Sequence, residues 1–176
     1  MFEDPSRLGW PSSFHAVQFY LNDTFLIRSL ASFVTDAQKT NGTVIVIATE
    51  AHCTMLNNSV QDLDQCKLIL ADIVELFPQF MRGDRLDKTR FLQLFGEIYQ
   101  RITPGNRTFV FGEVAPILSS QGLHQAAFMV EQLCGVLCTE YGVSILCGYP
   151  HSDYLLSGIY QTHTHLRVGG SMVALT

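Results

Sequence analysis

The sequence predicts a three-layer α/β domain, in which a mostly parallel sheet of about five strands is flanked by helices. Short apolar segments alternate with longer segments whose apolar residues recur every three or four positions. The most apolar segment, TVIVIAT at residues 43–49, is unbroken, as is typical of a strand buried on both faces. The chain has 176 residues, 47% of them hydrophobic, so it can bury one sizeable core.

The first half of the chain contains three predicted strands. Residues 15–20 (HAVQFY) have the aromatic and β-branched content of a strand, and Asn22 can cap the helix that follows. That helix ends at Asn41-Gly42, before the strand at residues 43–49. A helix through Val60 comes next, and then a third strand, KLIL.

Two further helices are predicted before the centre of the chain. Asp72 can cap the first of them, in which Pro78 predicts a kink or an early end. Asp87 can cap the second, which has an apolar face and ends before Pro104. Both have the length of crossover connections between parallel strands.

Residues 107–141 form the central unit of the prediction. A buried strand at residues 108–111 leads into a loop that holds Glu113. After a polar turn, apolar residues from Leu123 to Tyr141 have the spacing of one buried helix face. The fifth strand is predicted at residues 143–147, followed by a short helix toward His165.

The chain divides into a leader, one domain and an exit segment. Residues 1–13 have the composition of a leader, residues 14–165 make up the domain, and residues 166–176 are expected to leave it.

The net charge is −5 and the basic residues are scattered, which argues against direct nucleic-acid binding. Without a signal peptide or an apolar run of about 18–20 residues, the expected location is cytoplasmic and away from the membrane.

Several motifs that bind nucleotides or carry catalysis are absent from the sequence. It has no GxxxxGK[ST] phosphate loop, no GxGxxG turn and no GxSxG nucleophile turn. Two predicted strands nevertheless end in an acid, at Asp72 and Glu113, as Mg²⁺-binding strands of NTPases do. A degenerate nucleotide-binding or NTPase-like domain therefore stays open as an alternative.

No metal or cofactor is predicted. Cys134 and Cys138 share an apolar helix face, where packed thiols are expected, and His163-x-His165 has no evident third ligand. The five cysteines, mostly in apolar segments, are expected to be reduced. A redox sensor built on Cys53 or Cys147 is a weaker alternative.

Polar residues at the predicted strand ends are the best candidates for a ligand site. Because the carboxyl ends of parallel strands share one edge of a sheet, we expect these residues to converge beside aromatic side chains. The candidates are Tyr20, Glu50, His52, Glu113, Cys147 and Tyr149, with Phe14 and Phe19 nearby.

The same segments resemble a known sensory family. The residues HAVQFY, TVIVIATEAH, FGEVAPIL, MVEQL and ILCGYP, in this order, are similar to the MEDS domain, the methanogen/methylotroph sensory domain of dichloromethane-responsive regulators and sensor kinases. The resemblance covers about residues 15–165. It implies a degenerate RecA-like core without a phosphate loop, and ligand or signalling positions at His15, Tyr20, Glu50, His52, Glu113 and Tyr149.

The resulting hypothesis is a non-catalytic sensory domain. The resemblance implies that it binds a hydrocarbon derivative or C1 compound and signals to a histidine kinase of a two-component system or to a DNA-binding transcription regulator. Tyr20, His52 and Glu113 would orient the ligand. The other alternative is a protein-interaction module without a ligand, whose helix faces assemble a homodimer.

Overall fold

The computed structural model describes residues 9–153 and 161–175, and these residues form an α/β domain. The helices and strands alternate as the sequence predicts. The strands are β1 (His15–Tyr20), β2 (Thr43–Ala48), β3 (Leu68–Asp72), β4 (Met81–Arg82), β5 (Arg85–Leu86), β6 (Thr108–Gly112), β7 (Ser144–Pro150), β8 (His165–Val168) and β9 (Ser171–Ala174). The helices are α1 (Asp23–Lys39), α2 (Glu50–Ser59), α3 (Ile73–Phe80), α4 (Lys88–Tyr99), α5 (Val114–Ser120) and α6 (His124–Tyr141).

Within the described residues, seven strands form one sheet in the order β3-β2-β6-β7-β1-β8-β9. All neighbouring pairs are parallel except β8 and β9, which form an antiparallel hairpin at one edge. The prediction of a mostly parallel sheet is thus confirmed, but the sheet is larger than the five strands expected. The additional strands, β8 and β9, lie mainly in the segment that was expected to leave the domain. The alternating residues of β8 and the two-residue turn Gly169-Gly170 are a hairpin signal that the prediction overlooked.

Side-chain alternation along the strands builds a separate core on each face of the sheet. Val44, Val46 and Phe111 pack with α1 and α2 on one face, and Trp10 from the N-terminal segment joins them. Ile45 faces the other way, toward α3, α4, α5 and α6. The three-layer architecture follows, because neither face of the sheet is left to solvent.

Local capping agrees with the sequence at most helices. The side chains of Asn22, Asp72 and Asp87 each accept a backbone hydrogen bond from the first turn of the helix that they precede. Pro78 lies inside α3, which ends two residues later at Phe80.

Three local features differ from the prediction or lie outside its test. The loop expected after Glu113 instead contains the short helix α5, and β4 and β5 form a two-stranded hairpin that was not predicted. The last predicted helix falls largely on residues 154–160, outside the described residues.

In the described part of the chain, no helix combines the length and the apolar character needed to cross a bilayer.

Candidate functional site

Four polar side chains meet at the carboxyl edge of the sheet, and we call them the rim network: Tyr20, Asp23, His52 and Glu113. Tyr20 is the last residue of β1, Asp23 begins α1, and His52 lies in the first turn of α2. Glu113 follows β6, and its backbone N–H donates to the Ile47 carbonyl at 3.0 Å. This bond extends the pairing of β2 with β6 and holds the Glu113 side chain at the edge.

Both carboxylate oxygens of Glu113 accept hydrogen bonds within the rim network. Tyr20 Oη donates to Oε1 at 3.2 Å, and His52 Nδ1 donates to Oε2 at 2.8 Å. The other ring nitrogen of His52, Nε2, lies 3.3 Å from Asp23 Oδ1. Glu113 is only 2% exposed, so these partners replace the water that a buried carboxylate would otherwise need.

The charges of the rim network follow from these contacts. The hydrogen bond to Glu113 raises the pKa of His52 against the opposing effect of burial, and Asp23 raises it further. Burial, followed by the charge of Glu113, raises the pKa of Tyr20 above its usual range. Tyr20 is therefore a neutral hydrogen-bond donor, while His52 is favoured as a cation between two carboxylates.

The rim network opens onto a cavity of about 370 Å³. Tyr20 and Glu113 line it from one side, and Pro116, Ile117 and Pro150 provide apolar walls. The remaining lining residues are polar: Ser119, Ser120, His124, Ser152 and Asp153. A small-molecule site combines apolar surface with oriented polar groups, and the rim cavity offers both.

Of the seven site candidates named from the sequence, the structure brings three together at the rim and places the other four elsewhere. Tyr20 and His52 each form a hydrogen bond with the Glu113 carboxylate. Glu50 is exposed in the first turn of α2, and no structural contact ties it to the rim. An acid in the first turn of a helix interacts favourably with the helix dipole, so this position has a local explanation, and a ligand role for Glu50 stays a prediction.

His15 and Tyr149 lie instead in a second, buried group, which we call the inner cluster: His15, Glu131, Cys147, Tyr149 and His163. Glu131 projects from α6, and its Oε2 lies 3.0 Å from His15 Nε2, 3.1 Å from His163 Nε2 and 3.4 Å from Cys147 Sγ. Tyr149 donates a short hydrogen bond to Oε1 of the same carboxylate. All five side chains are buried.

Strand alternation explains why the predicted site divides into two. In the pairing of β1 with β7, His15 lies opposite Ile145 and Val17 lies opposite Cys147. Residues two apart in a strand share a face, so His15 and Cys147 both lie on the face covered by α6. Tyr20 lies five residues after His15, an odd number, and therefore on the opposite face. Strand ends alone do not determine which face a side chain occupies.

The electrostatics of the inner cluster are those of a compensated buried charge. Burial would raise the pKa of Glu131, but the hydrogen bonds from His15 and His163 outweigh it and hold that pKa well below its usual range. For His15, burial lowers the pKa, while hydrogen bonds with Cys134 and Glu131 raise it to about 10. Burial and the nearby Glu131 charge raise the pKa of Tyr149, which stays a neutral donor.

Sequence reasoning missed Asp23 and Glu131 as members of a site, and it set His163 aside because no third metal ligand was evident beside His165. Glu131 carried a detectable signal, because it lies four residues after Ala127 and three before Cys134 on the apolar face of α6. A carboxylate on such a face needs buried partners. Asp23 had no comparable signal, since an acid in a first helical turn is common.

Two other cavities differ from the rim cavity in size and lining. One of about 470 Å³ lies between β1, α1 and the β8–β9 hairpin, and Gln18, Arg28 and Arg167 line it. The other, about 30 Å³, is enclosed between the sheet and α6, beside Glu131 and Cys147. A cavity of that size has room for about two water molecules, so it is too small for most organic ligands.

Comparison with known families identifies the chain. The family model described as MEDS, MEthanogen/methylotroph, DcmR Sensory domain, matches residues 14–164. The chain belongs to the MEDS family. The matched segment begins one residue before β1 and ends one residue before β8, so it includes the rim network and the inner cluster of this MEDS domain. No curated protein matches the chain.

Proposed function

We propose that this MEDS domain is a non-catalytic sensor that binds a small, weakly polar organic molecule, such as a hydrocarbon derivative or C1 compound, in the rim cavity. Tyr20 and Glu113 are the polar anchors, His52 orients Glu113, and Pro116 and Ile117 bury the apolar part of the ligand. The observation that carries the proposal is the buried Glu113 carboxylate, fully hydrogen-bonded at the wall of a cavity of about 370 Å³.

The rim cavity also provides a route from ligand to output. Three helices begin at the rim. Asp23 is the first residue of α1, His52 lies in the first turn of α2, and α5 begins directly after Glu113. A ligand that hydrogen-bonds to Tyr20 or Glu113 competes with the bonds that hold these helix starts together. Differential binding to two arrangements of the helices would shift their population and bias an attached or partner module.

The output partner that suits a sensory domain of this family is a histidine kinase or a DNA-binding regulator. The net charge of −5 supports a role that leaves nucleic-acid contact to the partner. Because the domain supplies only the input, its own location is proposed to be cytoplasmic, where such partners act.

A thermal-shift screen tests the ligand proposal. The purified protein is screened against short halogenated and oxygenated hydrocarbons, C1 compounds, and ATP with Mg²⁺. A ligand present at about 100 times its Kd adds about 2.7 kcal/mol, which raises the Tm by several degrees. We expect a small organic compound to raise the Tm of the wild type and Glu113→Gln to abolish that increase.

The matched control is Arg28→Ala, which alters the 470 Å³ cavity and not the rim. It should keep the ligand response of the wild type. If Arg28→Ala abolishes the response and Glu113→Gln keeps it, the ligand lies in the other cavity and the proposed site is wrong. A response to ATP with Mg²⁺ that depends on Asp72 and Glu113 would favour the nucleotide-binding alternative, although Asp72 caps α3 and Glu113 already has partners on both oxygens.

A further inference from the structure

The inner cluster brings four different metal-ligating side chains to one point inside the domain. His15 comes from β1, Glu131 from α6, Cys147 from β7, and His163 from the segment before β8. Their ligand atoms, Nε2, Oε2, Sγ and Nε2, all lie within 4.8 Å of one another. Side chains from four separate elements meet here because the fold brings them together, not because they are neighbours in sequence.

Four of the six distances between these atoms are close to the edges of a tetrahedral metal site. With metal–nitrogen bonds of about 2.0 Å and metal–sulfur bonds of about 2.3 Å, neighbouring ligand atoms lie about 3.3–3.5 Å apart. The measured separations include 3.0 Å for His15 to Glu131, 3.1 Å for His163 to Glu131, and 3.4 Å for His15 to Cys147. Because the four atoms lie within 4.8 Å of one another, the most distant pair would have to close by up to about 1.3 Å to hold an ion.

The tautomer of His15 shows that a positive centre belongs between His15 and Glu131. His15 Nδ1 lies 2.7 Å from the Thr162 carbonyl oxygen, which can only accept, so Nδ1 carries a hydrogen. In the neutral ring Nε2 then has a lone pair, directed at the Glu131 carboxylate 3.0 Å away. Two lone pairs at this distance need a positive centre between them, which is either a proton or a metal ion.

The surroundings of the cluster match those of protein metal sites. Metal-binding histidines usually donate their other N–H to a carbonyl, as His15 does to Thr162. Metal-binding carboxylates are usually hydrogen-bonded at the remaining oxygen, as Glu131 is by Tyr149. His163 Nδ1 lies 3.2 Å from Thr162 Oγ1, so its ring is oriented as well.

The donor types select the class of metal. Two imidazoles, one thiolate and one carboxylate suit Zn²⁺ and its late first-row neighbours, whereas Mg²⁺ and Ca²⁺ prefer oxygen ligands. The ionised Glu131 and Cys147 would together balance a divalent charge, which matters in a site that is closed to solvent. Four protein ligands leave no open position, as in structural zinc sites.

We propose that His15, Glu131, Cys147 and His163 bind a divalent late first-row transition metal, Zn²⁺ above all, in a closed tetrahedral site. On binding, the Cys147 thiol loses its proton and the metal replaces the proton between His15 and Glu131. The ion joins α6, β1 and β7 to the segment that carries β8, and so attaches the C-terminal hairpin to the body of the domain. This site is independent of the ligand proposed for the rim cavity.

The test measures metal binding directly on the full chain. The protein is purified, its metal content is determined by mass spectrometry, and it is titrated with Zn²⁺ against a chromophoric chelator. We expect about one Zn²⁺ per chain. Replacement by Co²⁺ should produce an intense near-ultraviolet band from the bond between cobalt and the Cys147 thiolate, together with visible bands of tetrahedral cobalt.

Two cysteines provide matched controls. Cys147→Ser should abolish the near-ultraviolet band, while Cys53→Ser, which alters a buried thiol in α2, should keep it. All measurements use a Cys66→Ser background, which removes the exposed thiol. Tyr149→Phe, which removes the hydrogen bond to Glu131, should weaken Zn²⁺ binding about 10- to 100-fold.

The cobalt spectrum of the otherwise wild-type protein decides the matter even if a ligand variant fails to fold. A cluster held only by a protonated His15–Glu131 pair gives no thiolate-to-cobalt band. Absence of that band together with no Zn²⁺ retained against the chelator would overturn the proposal. A band that Cys53→Ser removes and Cys147→Ser keeps would overturn it as well.

Discussion

The rim network and the inner cluster contain the same types of residue, but only the rim network adjoins a cavity of about 370 Å³. Each places a tyrosine and histidine around a buried glutamate: Tyr20 and His52 around Glu113, Tyr149 and His15 around Glu131. Glu113 has two such partners and adjoins a cavity. Glu131 has four, counting His163 and Cys147.

The difference teaches that access from a cavity, and not the residue types, separates a carboxylate that can exchange partners from one that cannot. Glu113 can trade a bond with Tyr20 for one with a ligand, since the cavity lets a ligand approach. Glu131 has no such access, and its partners must be present when the domain folds. The rim network therefore suits sensing, and the inner cluster suits holding an ion or a structural charge.

The largest expected effect comes from removing the two glutamate charges. Glu131→Gln should lower the free energy of unfolding by about 3–5 kcal/mol, because it leaves a buried histidine cation without its counter-charge. Glu113→Gln should cost about 1–3 kcal/mol, because its partners lie nearer to solvent. Urea unfolding in the presence of EDTA measures both.

The control for this pair is Glu140→Gln, an exposed acid on the same helix as Glu131, which should change stability by less than about 0.5 kcal/mol. A larger loss for Glu113→Gln than for Glu131→Gln would contradict the comparison.

A smaller effect is expected from removing the two tyrosine hydroxyls. Tyr149→Phe leaves one oxygen of a buried carboxylate short of a donor and should cost about 1–3 kcal/mol. Tyr20→Phe should cost about 0.5–1.5 kcal/mol, because water in the adjoining cavity can replace the hydroxyl. The same unfolding measurement gives both values, and equal losses would show that the two carboxylates are equally accessible.

The rim network should also make stability depend on pH through His52. Glu113 and Asp23 raise its pKa in the folded protein, and Tyr20 packs against its ring. A raised pKa contributes stability that is fully present below the unfolded value, about 6.5, and is lost as the pH rises through the folded value.

The measurement compares wild type with His52→Gln by urea unfolding from pH 5.5 to 9. The advantage of the wild type should be greatest at the acid end and should shrink by up to about 1 kcal/mol as the pH rises. An advantage that grows with pH would mean that His52 is neutral in the folded domain.

The smallest effect is expected from Asp23, the exposed member of the rim network. Its side chain is 66% exposed and lies 3.3 Å from His52 Nε2. Asp23→Asn should cost no more than about 0.5 kcal/mol, and less at high salt, because solvent screens the pair. Unfolding at 50 mM and 500 mM NaCl tests this, and a cost above about 1 kcal/mol would place Asp23 among the structural residues.

Much of the fold was predictable because local patterns specify it. The unbroken β-branched run of β2, the apolar face of α6, and the capping residues Asn22, Asp72 and Asp87 each act over a few residues. The hairpin of β8 and β9 was missed although it has a local signal, since Leu166 and Val168 alternate with polar residues just before the turn at Gly169-Gly170. These strands depend on pairing with β1 and with each other.

The sequence by itself determined the α/β class, the resemblance to the MEDS family and the placement of Tyr20, His52 and Glu113 near one edge, because strand ends and helix starts are local features. Only the tertiary structure decided that His15 and Tyr149 belong with Glu131, Cys147 and His163. Alternation within a strand is a local feature, and it already separates Tyr20 from His15. The face that α6 covers, and therefore the meeting of Glu131 with His15, Cys147 and His163, depends on packing between elements far apart in the chain, which no local pattern reports.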